Sequence, residues 1–124
     1  MTQMRGLRGA TTADSNTKEA IVGATKELLE ALIKANNFQV DDVVSAFFTT
    51  TVDLNAEFPA VAARLMGWQY VALMCGHEMV VPDATPMCIR VLVHLNTEKR
   101  PQDLKFQYLK GAKHLRSRGT EQAK

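Results

Sequence analysis

A chain of 124 residues with 46% hydrophobic and 23% charged side chains has the size and balance of one globular domain. Two cysteines, Cys75 and Cys88, are too few for a disulfide scaffold, and no apolar run reaches the ~18 residues of a membrane span. The net charge of +2 is uneven, because Lys105 to Lys124 holds a single acidic residue, Glu121. A nucleic-acid-binding tail needs aromatics interleaved with its basic residues, and none follows Tyr108. The stretch therefore reads as a solvated end, with 117–124 a mobile tail and neither nucleic acid nor membrane as partner. The N-terminal residues lack the apolar core of a signal peptide, so the cytoplasm is the expected compartment.

In chain order, Gln3 to Thr11 predicts a strand, with Arg5 and Arg8 on opposite faces because strand side chains alternate. Asn16 and Glu19 have the spacing of a capping pair. Ala20, Ala24, Leu28, Ala31, Leu32 and Ala35 then recur at helical spacing, predicting one long helix that ends near Asn36 and Asn37. Val43 to Thr51 is β-branched and aromatic, hence a strand. Pro59 opens a short helix that Gly67 ends. Trp68 to Met74 fits a third strand, and Gly76 to Pro86, with its Gly and Pro residues, a loop. Met87 to Leu95 predicts a fourth strand, with Met87, Ile89, Val91, Val93 and Leu95 on one face and Cys88, Arg90, Leu92 and His94 on the other. Pro101 to Lys105 fits a helical turn. Phe106 to Leu115 fits a strand or a helix, and periodicity does not choose. The order βαβαββ predicts a single α+β domain: a mixed sheet with helices on one side.

Arg90 stands out chemically. A guanidinium does not lose its charge, so burying one in an apolar strand requires an anionic partner: Arg90 pairs with a carboxylate, snorkels to water at the sheet edge, or meets an anionic ligand. Glu78 follows in a loop, either as a surface carboxylate, the commoner case, or brought close to Arg90 by the preceding strand. Cys75, His77, Cys88 and His94 have no metal-ligand spacing. Cys75 and His77 share a face only if the strand continues through Gly76, which limits them as a nucleophilic pair. There is no phosphate-binding glycine loop and no nucleophile elbow. Tyr108 is a core-edge residue or a ligand donor.

Five collinear segments go further. MRGLRGATT at Met4 to Thr12, FPAVAARLMGWQYV at Phe58 to Val71 and CGHEM at Cys75 to Met79 are three of them. CIRVLVHLNT at Cys88 to Thr97 and QYLKGAKHLR at Gln107 to Arg116 complete the set. Together they resemble the AroH-class chorismate mutases. The resemblance implies a homotrimer of α+β subunits, each a five-stranded mixed sheet carrying one long and one shorter helix, with active sites between neighbours. It implies conversion of chorismate to prephenate, an intramolecular [3,3] rearrangement on the route to phenylalanine and tyrosine. That reaction requires no nucleophile, metal or cofactor.

By the same resemblance, Arg90 donates to the ether oxygen of the breaking bond and to a carboxylate. Glu78 binds the ring hydroxyl with Cys75 beside it, and Arg8 and Tyr108 hold the enolpyruvyl carboxylate. Phe58, Ala60 and Arg64 come from the adjacent subunit, while Leu73, Met74 and Leu115 wall the cavity. Arg116 is a further candidate for the substrate carboxylates. The chain departs from the family pattern at Val61, where a basic residue is usual, and at Phe106, where His is usual. It also departs in the PDATP loop at Pro82 to Pro86 and in LRSRG at Leu115 to Gly119. The alternative reading is a non-enzymatic trimer that binds a small ligand on a similar fold. The joint presence of Arg8, Glu78, Arg90 and Tyr108 favours the mutase.

Overall fold

A computed structural model describes residues 2–117; the expected tail lies outside the described residues from 118 onward. The elements are β1 (Gln3–Thr12), α1 (Lys18–Asn36), β2 (Val43–Thr50), α2 (Ala60–Leu65), β3 (Ala72–His77), β4 (Cys88–Thr97) and β5 (Gln107–Tyr108). They form one five-stranded sheet in the order β3-β2-β4-β1-β5. β4 runs antiparallel to both β1 and β2, whereas β2/β3 and β1/β5 are parallel, so the sheet is mixed as expected.

The 19-residue α1 buries Ile21, Ala24, Leu28, Leu29 and Leu32, one stripe of a 3.6-residue period. Its C-cap is Asn37 in the left-handed region (φ 54°), donating its N–H to Ile33 O. Its N-cap is Thr17, whose Oγ1 accepts from Ala20 N at 3.1 Å. This corrects the Asn16–Glu19 pairing. Asn16 has other partners: it donates to Asn55 Oδ1 at 2.8 Å and accepts from the backbone N–H of Asn55 and Ala56. The turn before α1 is thereby tied to the loop before α2.

α1 lies close on β1 because position 9 has no side chain. A Cβ on Gly9 would sit 3.0 Å from the Cδ1 atoms of both Leu28 and Leu32. Under the helices, Leu7, Phe48, Ile89 and Val93 are fully buried. Each contributes roughly 1.5–3 kcal/mol of hydrophobic burial. The two predicted faces of β4 are therefore real, with Ile89, Val91, Val93 and Leu95 on the covered side.

Two strands differ from expectation. β3 begins at Ala72, not Trp68, and continues past Met74 through Gly76 and His77, which the expected loop Gly76 to Pro86 had included. Trp68 is apolar because it fills the core, packing edge-on against Phe38 at 6.5 Å, while Tyr70 is 96% exposed. That apolarity marks burial of one side chain and not a strand. The register Ser45↔Ala72 to Thr50↔His77 keeps Gly76 in the ladder. The segment after Phe106 is neither a full strand nor a helix. β5 has two residues, and 3₁₀ turns follow at Lys110–Ala112 and Leu115–Ser117. Smaller shifts place the start of β4 at Cys88, after Met87 at φ 53°, and its end at Thr97.

Candidate active site

Register across the sheet sets what shares a face. Ala10 on β1 opposes Arg90, Arg90 opposes Thr49, and Thr49 opposes Gly76. The next row is Arg8, Leu92, Phe47 and Met74. These rows lie on the face away from the helices, where Phe47 and Met74 are 43% and 60% exposed. Tyr108 pairs with Ala10, which brings β5 alongside the Arg90 row.

Glu78 directly follows β3. Its N–H bonds to Thr50 O at 2.9 Å, extending the ladder by one step, and its carboxylate reaches Arg90. Glu78 Oε2 lies 3.0 Å from Arg90 Nε and accepts from Thr49 Oγ1 at 2.7 Å. Of the alternatives open for Arg90, the structure shows a carboxylate of its own chain as partner. The ion pair is close but lacks the alignment of a directed hydrogen bond at Arg90 Nε. Tyr108 Oη is likewise buried without a hydrogen-bond partner. Arg8, Arg90, Thr49, Phe47 and Leu92 line an open cavity of about 350 Å³. Two cations at one concave surface, with an unsatisfied phenol on the adjoining strand, suit a small anion with oxygen acceptors.

A second group of expected site residues sits elsewhere. Cys75 is in the odd register of β3, so within one subunit it faces the helix side, opposite to Glu78. The Cys75 side chain and the Glu78 carboxylate of one chain thus lie on opposite faces of the sheet. Cys75 lines a separate cavity of about 340 Å³ with Phe58, Pro59, Thr50 and His77. Burial raises the Cys75 thiol above its ordinary range, opposed by a backbone hydrogen bond from Ala60 and by the charge of Arg64. Phe58, Ala60, Arg64 and Cys75 therefore form one neighbourhood, at the start of α2 and the end of β3. Leu73 packs against the core, and Met74 belongs to the open face. Leu115 is half-buried in the last 3₁₀ turn, and the Arg116 guanidinium lies 4.9 Å over the Phe106 ring. Among the described residues no three His, Cys, Asp or Glu side chains converge as metal ligands would.

Sequence reasoning passed over Thr49. Its signal was present: a hydroxyl in the apolar run VVSAFFTT, in the register that faces Arg90.

The chain matches the chorismate mutase type I family over residues 4–118. It is 42% identical to chorismate mutase AroH of Bacillus subtilis (strain 168) over 114 residues, 91% of this chain and 90% of that protein. Against chorismate mutase AroH of Thermus thermophilus the identity is 41%, covering 91% and 93% of the two chains. A solved chorismate mutase from Clostridium thermocellum superposes with a TM-score of 0.86 at 49% identity, covering 88% of this chain and 97% of that one. The open-face cations and the collinear motifs thus lead to one conclusion: the chain belongs to the chorismate mutase type I family and is a chorismate mutase.

Proposed function

We propose that the rearrangement of chorismate to prephenate takes place against Arg90, Glu78, Arg8 and Tyr108, with Phe58, Ala60, Arg64 and Cys75 of a neighbouring copy completing the site. The observation that carries this reading is the pair of guanidinium groups, Arg8 and Arg90, at one open cavity, with Tyr108 Oη buried without an acceptor on the neighbouring strand. A buried donor without a partner costs roughly 1–3 kcal/mol, and a bound oxyanion recovers it.

The substrate is a flexible dianion whose two reacting carbons meet only in a compact chair. Arg8 and Tyr108 hold the enolpyruvyl carboxylate, and Glu78 accepts from the ring hydroxyl. Fixing both ends restricts the substrate to reactive geometries. As the C–O bond breaks, negative charge grows on the ether oxygen. The guanidinium of Arg90, held on a central strand, meets that charge without having to reorganise. It therefore stabilises the transition state more than the ground state, by ~3–4 kcal/mol for a well-placed donor. Leu73, Met74 and Leu115 close the apolar walls, and Arg116 adds positive charge near the substrate carboxylates.

The assembly is a homotrimer. Within one chain the two groups of site residues occupy opposite faces of the sheet, so a second copy is required to unite them. A closed ring of identical interfaces does this, and it covers the exposed Phe47 and Met74. The free thiols Cys75 and Cys88 suit a reducing cytoplasm, and no helix among the described residues is long and apolar enough to cross a membrane.

The test has two parts. Purified protein mixed with chorismate should lose the substrate's ultraviolet absorbance, with prephenate as product. Arg90→Ala and Arg64→Ala variants, each inactive alone, should regain part of the activity when unfolded and refolded together. Mixed rings contain some interfaces with both arginines intact. Absence of recovery would place both arginines in one subunit's site.

A further inference from the structure

We infer that Thr49 is a positioning residue of this site: its hydroxyl fixes the Glu78 carboxylate so that neither Glu78 nor Arg90 is consumed by the other. The inference rests on the assignment of Glu78 to the ring hydroxyl and of Arg90 to the ether oxygen.

Glu78 stands just beyond the last paired residue of β3, with a backbone tie on one side only, from its N–H to Thr50 O at 2.9 Å. Its side chain has three rotatable bonds, and ordering them at each binding event costs free energy. Left to itself, a carboxylate beside a guanidinium closes into a bidentate fork, using both oxygens and two N–H groups. That fork would withdraw the atoms required for substrate. The structure contains a different arrangement. Oε2 accepts from Thr49 Oγ1 at 2.7 Å and lies 3.0 Å from Arg90 Nε, a contact that makes no directed hydrogen bond. With Oε2 so held, Oε1 is left to accept from a bound hydroxyl and the terminal amino groups of Arg90 to meet the substrate oxygens.

Thr49 suits this role. It lies directly across from Arg90 in the antiparallel pair and lines the same cavity as Arg8 and Arg90. A β-branched side chain in a strand is stiff at χ1, so its hydroxyl is a fixed donor. The next two threonines have other partners. Thr50 Oγ1 bonds to Leu54 O and His77 Nδ1, and Thr51 Oγ1 bonds to Asp53 and accepts from Cys88 N. Of the three, Thr49 alone bonds to a carboxylate paired with Arg90.

Thr49→Val keeps the shape and removes the donor; Thr49→Ser keeps the donor. Full-length variants are compared by steady-state kinetics on chorismate and by thermal melting, with Thr49→Ala as a second donor-less variant should the valine fold poorly. Loss of a hydrogen bond to a charged group predicts a drop of about tenfold in kcat/KM for Thr49→Val, with the serine variant near wild type and melting temperatures little changed. In a Glu78→Gln background the valine should cost almost nothing further, because its effect passes through the carboxylate. Normal turnover in Thr49→Val, or an equal loss with and without Glu78, overturns the inference and leaves the site assignment standing. A wild-type chain that does not turn over chorismate overturns the assignment itself, and the inference with it.

Discussion

The two faces of the sheet have the same backbone and opposite chemistry. Under the helices, Leu7, Phe48, Ile89 and Val93 are fully buried and purely apolar. On the other side, Phe47 and Met74 stand exposed, Arg90 is paired but undirected, and Tyr108 Oη has no acceptor. The first face is densely packed and covered, which is what stability demands. The second holds free energy in reserve: donors already desolvated, charges already fixed and an apolar surface still uncovered. A fold that satisfied both faces within one chain would have nothing left to offer a substrate or a neighbour.

Adjacent residues on β2 test this contrast most strongly. Phe48 is fully buried and Phe47 is 43% exposed. Phe48→Ala should cost ~3–5 kcal/mol in denaturant unfolding, the usual price of emptying an aromatic core site. Phe47→Glu should leave each subunit folded, as seen by circular dichroism, but place a charge on the uncovered face. Light scattering should then report smaller particles than for wild type. Equal destabilisation of the subunit fold by the two changes would show that the faces do not differ as claimed.

Arg90→Lys comes next. Lysine preserves the charge but lacks the planar fork that reaches an ether oxygen and a carboxylate together. Turnover should fall a hundredfold or more, ~3 kcal/mol of transition-state stabilisation, with melting temperature nearly unchanged. A normal single-turnover rate in this variant would remove Arg90 from the chemistry. A large loss of stability would move it to the structural side of the contrast.

Cys88 lies between the two regimes. It is in Arg90's register on β4, yet only 1% exposed. Burial, reinforced by the Glu78 carboxylate and opposed by Arg90, pushes its thiol from 9.0 up to about 11. Below pH 9 the thiol is protonated in both folded and unfolded chains, so its contribution is fully present. Between about pH 9 and 11 the unfolded chain releases the proton while the folded one retains it. Stability should therefore fall across that window by up to about 3 kcal/mol. Cys88→Ala should flatten this alkaline decline in melting temperature measured against pH. An unchanged slope would assign the decline to other groups.

Legibility in the sequence followed the same divide. α1 was readable because its buried residues repeat every three to four positions, and β4 because its faces alternate. β3 was misplaced because Trp68 is apolar for a core reason that local pattern does not encode. β5 was undetermined because its two residues are held by pairing with β1, a contact nearly a hundred positions away in the chain. Asn16 and Thr17 both have side chains able to cap, and only the tertiary bond to Asn55 decides between them. For the site, Arg90 announced itself as a cation in an apolar strand. The division of Glu78 and Cys75 between opposite faces was not legible, because it depends on β3 continuing through Gly76 and so on strand parity. Thr49 was hidden by being an ordinary strand residue until its partner across the sheet is known.

Tyr108 gives the smallest effect and the sharpest sign. Its hydroxyl is buried and bonded to nothing among the described residues, so in the free protein it is a cost. Tyr108→Phe removes that oxygen and leaves the ring. A structural hydroxyl would be missed, and stability would drop by ~1 kcal/mol or more. An oxygen held ready for a carboxylate gives the reverse: melting temperature unchanged or raised by a few degrees, a gain of up to ~1 kcal/mol in a domain of this size. At the same time kcat/KM should fall about tenfold, the worth of one hydrogen bond to a charged group. The loss should appear mainly in KM, since the enolpyruvyl carboxylate is charged in ground and transition states alike and binding it is uniform. Opposite movements of stability and substrate affinity from one deleted atom are what a reserved donor requires. A variant less stable than wild type that binds chorismate normally would return Tyr108 to the covered face's logic and leave the carboxylate to Arg8 alone.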